Sequence, residues 1–136
     1  MTDPELNILR ECLGDLTMYM GSNGVSVNPA PRVILNKQPQ DIEQPMFNPT
    51  AHYSPVEKSI TLYTHGRHIK DILRSFAHEM IHHDQNMNGL LKMELVGDTS
   101  DPKYAQNNDH LRKLEEDAYL RGNMMFRDWA DNRKYK

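Results

Sequence analysis

The five residues from His78 to His82 read His-Glu-Met-Ile-His, and they constrain the fold more than any other part of the chain. They lie in a stretch whose apolar residues recur every three or four positions, which predicts an amphipathic helix. Residues four apart on a helix project from the same face, so His78 and His82 point into one space and can hold a single zinc ion. Since a catalytic zinc takes three protein ligands and leaves one position open, another element must bring a third donor to this face.

The intervening residue, Glu79, points beside the expected ion. There its carboxylate can accept a proton from a water molecule whose pKa the metal lowers to about 7, which leaves a nucleophile for a carbonyl carbon. The alternative is that the pattern arose by chance on an ordinary helix surface. The strand and turn that precede the motif, and its place inside an amphipathic helix, favour the metal site.

Three consecutive acids in the last predicted helix are the expected source of the third donor. Glu115 lies on the helix side shared with Ala118 and Gly122, whereas Glu116 and Asp117 point elsewhere. The two small residues would let this helix closely approach the helix that carries His78 and His82, here called the metal helix. We therefore predict Glu115 as the third ligand, with a solvated acid at a helix start as the alternative. Glu116 is the reserve candidate, and Asp117 is expected to orient a histidine or to lie at the surface.

Helix and strand patterns divide the amino-terminal half of the chain. Asp3 as an N-cap and Pro4 predict a helix start, and leucines at spacings of three and four carry that helix to Gly21 or Gly24. Prolines interrupt residues 36–57, so we expect a long loop or an irregular hairpin there. Short apolar runs predict strands at residues 25–27, 32–35 and 59–63.

The carboxyl-terminal half is predicted to be helical. After a turn at His65-Gly66-Arg67, the metal helix should continue until Gly89 stops it. Polar residues 97–108 predict a surface connection, and the final helix should start at Asp109 or at the residue before it. With 136 residues, the chain is expected to form one domain, residues 1–136, of the α+β class.

Composition excludes several classes of partner. The net charge is -3 and the isoelectric point is about 6.1, with scattered lysines and arginines, so the chain lacks the basic surface that nucleic-acid binding requires. The single cysteine, Cys12, excludes an internal disulfide, and its apolar surroundings predict a buried thiol. Neither a signal peptide nor a run of about 18 apolar residues occurs, so we expect a soluble, cytoplasmic monomer with no membrane partner.

Further side chains near the motif and in the last helix also have expected roles. His83 follows His82 but points about 100° away around the helix, so it should not bind the same ion and is expected to be a polar surface residue or to orient other groups. Trp129 is expected to anchor the last helix. Six side chains are candidates for donating a hydrogen bond to the negative charge that develops on a substrate oxygen, each with an ordinary structural role as the alternative. They are His65, His68, His110, Tyr63, Tyr104 and Tyr119.

The motif, the strand and turn before it, and the later Glu115-x-x-Ala118 resemble the zincin metallopeptidases, in the gluzincin branch with a glutamate as third ligand. The spacing is similar to that in ImmA/IrrE-type and HtpX-type peptidases, although the chain lacks the membrane span of the latter. Residues 66–85, together with residues 115–129, look like small bacteriophage metallopeptidases. The resemblance covers about half the chain. It implies a minimal zincin-like fold, in which a sheet of three to four strands packs on the metal helix with a helix at each end of the chain. It also implies an edge strand that aligns a peptide substrate, and Ser59–Tyr63 is the candidate.

The leading hypothesis is hydrolysis of peptide bonds in a peptide or protein substrate by zinc held by His78, His82 and Glu115, with Glu79 as general base. A second is a binding protein, such as a virion component or an inhibitor of a host protein, that keeps the scaffold without turnover. A fourth protein ligand such as His110 would mark a closed, structural site. A third hypothesis keeps hydrolysis, but the bond that is cleaved belongs to a cell-wall peptide cross-link or to a small amide. Deformylase chemistry needs a metal-ligating cysteine in a strand, which the cysteine of the first helix does not fit.

Overall fold

The computed structural model describes residues 2–38, 50–91 and 109–134. Their elements are, in chain order, α1 (Asp3–Ser22), β1 (Arg32–Asn36), β2 (Ala51–Ser54), β3 (Ser59–Tyr63), α2 (Ile69–Met87) and α3 (Asp109–Lys134). This is the α+β class predicted from the sequence. The predicted surface connection at residues 97–108 and the central part of the predicted loop, residues 39–49, lie outside the described residues.

A capping box starts α1. The Thr2 side chain accepts a hydrogen bond from the Glu5 backbone N–H at 3.3 Å, and the Glu5 carboxylate accepts one from the Thr2 backbone N–H at 3.3 Å. The N-cap is therefore Thr2, one residue before the predicted Asp3. A threonine followed three positions later by a glutamate satisfies two backbone donors at once. The helix ends at Ser22, between the two predicted stops.

β3 is the central strand of the sheet, which has the order β1-β3-β2. It pairs with β1 in parallel and with β2 in antiparallel orientation. The four consecutive residues from Ser59 to Leu62 are all buried, as expected of a strand that is covered on both faces. The prediction that Ser59–Tyr63 is a substrate-binding edge is therefore wrong, because both of its backbone edges are occupied. Within the described residues, the outer strands are β1 and β2.

β2 lies inside the predicted loop of residues 36–57 and is a strand that the sequence does not predict. Its residues, Ala-His-Tyr-Ser, precede Pro55 and carry little strand preference except at the tyrosine. Antiparallel pairing with β3, in which Tyr53 lies opposite Ile60, defines the strand instead. β2 is thus one arm of a β-hairpin whose other arm, β3, follows the predicted loop, and residues 39–49 of that loop lie outside the described residues.

Residues 25–27 show the reverse error, since a strand is predicted there and the structure has none. The Val25 N–H donates to the Met20 carbonyl at 3.1 Å, and the Ser26 N–H donates to Asp84 Oδ1 at 2.7 Å. A helix carbonyl and a side chain therefore take the donors that a neighbouring strand would need. Val25 is buried, so its apolar character reflects packing rather than a strand.

α2 lies at the centre of the fold and packs against the sheet and both other helices. Its apolar face, including Phe76 and Ile81, is buried with residues of α1, β3 and α3. Trp129 is buried and its indole N–H donates to Asp15 of α1 at 2.9 Å, so it anchors α3 as predicted. Cys12 is also buried as predicted, and burial raises the pKa of its thiol. None of the described helices is long and apolar enough to cross a lipid bilayer.

α3 crosses α2 closely at the point where Gly122 faces the backbone of His78. A Cβ atom at position 122 would lie 3.0 Å from the His78 Cα, 3.1 Å from its N and 3.3 Å from the Ala77 carbonyl carbon. These neighbouring atoms belong to a helix backbone in a close-packed interior, so they cannot move aside as a flexible side chain would. Ala118, which is fully buried one turn earlier, extends the contact. The close approach predicted from the two small residues is therefore confirmed.

Replacement of Gly122 by alanine should lower stability, because the added methyl group forces α2 and α3 apart. We expect a loss of about 1–3 kcal/mol in the free energy of unfolding, as for other overpacked cores. The matched control is Gly14→Ala in α1, where a Cβ atom meets nothing within 4 Å. The higher helix preference of alanine should add about 0.5–1 kcal/mol there. Chemical denaturation measures both variants, and a Gly122→Ala protein as stable as the parent would contradict the packing.

Candidate metal centre

Two histidines of α2 and one glutamate of α3 converge on one point. His82 Nε2 lies 3.1 Å from Glu115 Oε1, and His78 Nε2 lies 3.7 Å from Glu115 Oε2. One donor atom from each residue lies within 4.8 Å of the other two. The structure therefore brings together the three residues predicted as metal ligands. The reserve candidate, Glu116, is exposed and is not part of this group.

The donor set and its spacing fit a metal ion of zinc's size. Around a tetrahedral ion with bonds of about 2.0–2.1 Å, ligand atoms lie roughly 3.3 Å apart. The distances from the two imidazoles to the Glu115 oxygens, 3.1 Å to Oε1 and 3.7 Å to Oε2, are near this value, and all three donor atoms lie within 4.8 Å of one another. Zinc accepts both kinds of donor, and several other divalent ions share them. The described residues offer three donors at this point, which is the number that a catalytic zinc site uses.

The Glu115 carboxylate interacts with both imidazoles. The imidazoles of His78 and His82 lower the pKa of the Glu115 carboxyl far below its usual range. Burial alone would lower the pKa of His82, but its hydrogen bond to Glu115 and the negative charge of that residue outweigh burial, so the pKa is raised. Below that raised pKa a proton bridges His82 and Glu115, and a metal ion must displace it.

Gln85 fixes the tautomer of neutral His82. The Gln85 amide nitrogen donates to the Leu114 carbonyl and to Asp117 Oδ2, both at 2.9 Å, and each of these groups can only accept. The amide oxygen therefore faces His82 Nδ1 at 2.9 Å, and Nδ1 must carry the proton. The lone pair of Nε2 is left to face Glu115. Since Gln85 is fully buried, water does not compete for this orientation.

Asp117 acts on the site through Gln85. Its carboxylate accepts two hydrogen bonds from Arg121, both at 2.7 Å, and these lower its pKa together with the bond from Gln85. Arg121 also donates to Asp84 Oδ2 of α2 at 2.9 Å. The prediction that Asp117 orients a histidine directly is thus corrected, because a glutamine stands between the two side chains. The charged groups tie α3 to α2 beside the donors.

Glu79 lies in a cleft next to the three donors. The residue is 9% exposed, and burial raises the pKa of its carboxyl, while the two nearby histidines oppose that rise. A buried carboxyl with a raised pKa beside a metal site is suited to taking up a proton. The cleft has a volume of about 200 Å³ and is lined by Thr50, Arg74, Ser75, His78, Glu79, Tyr119 and Asn123.

Tyr119 is the tyrosine that lines this cleft within the described residues. Its ring meets the His78 ring edge-on, with 5.1 Å between the ring centroids, and the residue is 65% exposed. The alternative of ordinary core packing is therefore wrong, and Tyr119 stays a candidate for oxyanion support. Tyr104 lies outside the described residues, and Tyr63 does not line the cleft.

Two of the other predicted histidines have structural partners. His68 is the N-cap of α2, where its Nδ1 accepts a hydrogen bond from the Lys70 N–H at 3.1 Å. His110 Nε2 donates to the Leu90 carbonyl at 2.9 Å and does not belong to the metal-binding group. His65 lies exposed in the turn before α2. None of these three histidines lines the cleft that contains Glu79.

His83 is fully buried, which corrects the predicted surface position. Its Nε2 donates to the Pro29 carbonyl at 2.7 Å, so its Nδ1 accepts from the Tyr53 hydroxyl at 2.8 Å. The Asn86 amide donates to the same hydroxyl at 2.9 Å. His83 therefore joins α2 to β2 and to the segment before β1, and it stands outside the metal-binding group as predicted.

Gln85 and Arg67 are two residues around the site that the sequence analysis misses. Gln85 comes three positions after His82, and that helical spacing was a usable signal for an orienting partner. Arg67 donates to the Thr50 carbonyl at 2.8 Å and to the Ser75 hydroxyl at 2.9 Å, so it ties the start of β2 to α2 beside the cleft. Most of its acceptors are backbone carbonyls, which no pattern of side chains reveals.

Comparisons of the chain with protein-family models, with curated proteins and with solved structures find no match. The zincin resemblance therefore rests on the motif residues and stays a prediction. What the chain does must be inferred from the donor group, from the buried Glu79 and from the cleft.

Gln85→Met should weaken zinc binding, because His82 loses the acceptor that keeps the proton on Nδ1. We expect a fall in affinity of about 10- to 100-fold, as for other partners of metal-binding histidines. Gln85→Glu should retain more of the affinity, since a carboxylate can still accept from Nδ1. Competition with a chromogenic chelator measures both variants, with Gln38→Met at an exposed position as the control. Equal losses in the two Gln85 variants would contradict the orienting role.

Zinc binding should release a proton, in an amount that depends on pH. The pKa of folded His82 is raised above its ordinary value of 6.5. Below the raised pKa the metal-free site holds a proton that zinc must displace, so zinc affinity should rise with pH through that pKa and then level off. In the metal-free protein this proton stabilises the fold at low pH, and its contribution is lost as the pH rises through the same pKa.

Calorimetric titration with zinc in two buffers of different ionisation enthalpy counts the protons released. Measurements at about pH 6 and about pH 9 lie on opposite sides of the range in which a histidine titrates. At about pH 6 zinc must displace the proton of the bridge, so about one proton should be released per zinc bound, whereas at about pH 9 any release comes from water bound to the metal. No proton release at about pH 6 would contradict the protonated bridge between His82 and Glu115.

Proposed function

We propose that the chain is a zinc-dependent peptidase, with His78, His82 and Glu115 as ligands and Glu79 as general base. The observation that carries this proposal is the convergence of two imidazoles and one carboxylate within 4.8 Å, beside a buried carboxyl. Three donors leave the fourth position of a tetrahedral ion for solvent or substrate. When bound, zinc would supply a water molecule of lowered pKa and polarise the scissile carbonyl.

Glu79 would accept the proton of the attacking water and pass it to the leaving amine. Burial raises the pKa of its carboxyl, which makes the side chain a stronger base and lets it hold the proton between the two transfers. The positive charge of a bound cation would oppose this rise, so the working pKa reflects both effects. Tyr119 packs against His78 and is the candidate donor to the negative charge that develops on the substrate oxygen.

The outer edge of β2 takes the place of β3 as the candidate surface for aligning a peptide. Among the described residues, β2 pairs with β3 on one side, and Thr50, directly before it, lines the cleft. An extended peptide could add to the other side by backbone hydrogen bonds while its carbonyl group reaches the donors. Arg67 holds the Thr50 carbonyl at 2.8 Å and so fixes where this edge starts relative to α2.

The number of donors favours a catalytic over a purely structural metal site. A structural zinc site uses four protein ligands, whereas the described residues supply three. His110, the candidate fourth ligand, contacts the Leu90 carbonyl instead. A binding protein that holds the metal without turnover is the competing proposal, and a change at Glu79 separates the two.

Glu79→Gln should keep zinc and lose turnover, because an amide of nearly the same size cannot accept the proton. We expect kcat to fall by about 10²- to 10⁴-fold, the usual contribution of a general base. Glu116→Gln is the matched control, since it removes the same charge from an exposed position of α3 outside the donor group. Elemental analysis measures the zinc content, and mass spectrometry of a peptide library measures cleavage.

Three results would count against parts of the proposal. A Glu79→Gln variant that cleaves peptides as fast as the parent would overturn the mechanism. A parent protein that carries zinc but cleaves no member of the library would favour the binding protein. If the Glu116→Gln control contained less zinc than the parent, the third ligand would be Glu116 and not Glu115.

A further inference from the structure

An arginine lies in the cleft beside the metal-binding donors. Arg74 precedes His78 by four residues on α2, so it lies about 6 Å away along the helix and on the same side. Both residues line the cleft that contains Glu79 and Asn123. Apart from His78, Arg74 is the basic side chain in the described lining of that cleft. The cleft therefore carries a negative group beside the donors and a positive group one helical turn away.

The guanidinium of Arg74 is held in place without a buried acid to neutralise it. It lies over the Phe126 ring, 5.4 Å from the ring centroid, and Phe126 belongs to the buried core. Its ionic partner is Asp71 at 3.4 Å, and the two side chains are 58% and 57% exposed, so water screens the pair strongly. The ring thus positions the guanidinium, while its charge and most of its five N–H donors can serve a ligand.

The two other arginines near the site are committed to the fold. The Arg67 guanidinium donates to three backbone carbonyls and to one hydroxyl. Arg121 is paired with two carboxylates, those of Asp84 and Asp117. Arg74 differs from both in its exposed charge and in its place in the cleft. Contacts within the fold therefore take up the donors of the other two arginines, whereas most of the donors of Arg74 stay available to a ligand.

We propose that Arg74 binds a carboxylate of the substrate, so that the site acts on peptides with a negative charge close to the scissile bond. This deepens the proposed peptidase function and rests on it. A guanidinium presents two parallel N–H donors that match the two oxygens of a carboxylate. Along the helix axis, the backbone positions of Arg74 and His78 are about 6 Å apart, which corresponds to between one and two residues of an extended peptide at about 3.3 Å each. We therefore assign the carboxylate to the residue next to the cleaved bond or to the one beyond it.

An acidic side chain and the carboxyl terminus of a peptide present the same chemistry to Arg74. Four matched short peptides distinguish these two sources. Each peptide carries either an acidic or an amide side chain next to the central bond, and either a free or an amidated carboxyl terminus. Binding is measured on the zinc-loaded Glu79→Gln protein, which removes turnover from the readout. At least one carboxylate-bearing form should bind about tenfold tighter than its neutral counterpart, and the form that does so identifies the source.

Arg74→Met in the same background should abolish this preference, because methionine keeps the packing on Phe126 but carries no charge. Arg10→Met is the matched control, since it removes an equal charge from an exposed position of α1 and should retain the preference. Thermal unfolding of both variants verifies that they are folded. A preference that survives Arg74→Met, or carboxylate peptides that bind no better than neutral ones, would overturn the proposal.

Turnover of the same four peptides by the protein with Glu79 intact separates this proposal from the proposed function. Hydrolysis with equal kcat/KM for charged and neutral peptides would overturn the role of Arg74 and leave the peptidase in place. Preferential binding that depends on Arg74, without hydrolysis of any peptide, would support the carboxylate site and overturn the peptidase.

Discussion

The close contact between α3 and the backbone of α2 is the constraint on which the candidate metal site depends. Gly122 lies two turns after Glu115 on the same side of α3, and a Cβ atom there would lie 3.0 Å from the His78 Cα. At this separation of the helices, one glutamate reaches both imidazoles, at 3.7 Å from His78 and 3.1 Å from His82. A wider separation would carry the carboxylate away from at least one ring. Helix packing and donor geometry are therefore consequences of the same contact.

Buried polar groups beside the donors give this contact a single arrangement. Gln85 links His82 to Asp117, and Arg121 links Asp117 to Asp84. No buried side-chain nitrogen or oxygen in the described part of the chain lacks a hydrogen-bond partner, so each group in the network constrains the next. Apolar side chains could fill the same space, but they would not determine which nitrogen of the imidazole carries the proton. The network therefore gives the donor lone pair of His82 one direction.

The features of the site that follow from spacing along a helix could be predicted, and those that follow from strand pairing could not. The four-residue spacing of His78 and His82, and the helix side that Glu115 shares with small residues, are both consequences of helix geometry. The edge position predicted for Ser59–Tyr63 was wrong because it depends on β2, whose sequence carries little strand preference. His83 shows the same limit, since helical spacing indicates that it points away from the donors but not that other segments bury it.

Two sets of hydrogen bonds hold β2 to α2, and they connect the proposed peptide edge to the candidate donors. Arg67, in the turn before α2, donates to the Thr50 carbonyl at 2.8 Å, and the Tyr53 hydroxyl donates to His83 of α2 at 2.8 Å. A peptide added to the outer edge of β2 would therefore meet the donors in one register, as preorganised catalysis requires. With the register fixed by the backbone, the distance of Arg74 from the donors would select substrates by where along the chain their carboxylate lies. Backbone pairing would then place the bond to be cut, and the arginine would determine which bonds qualify.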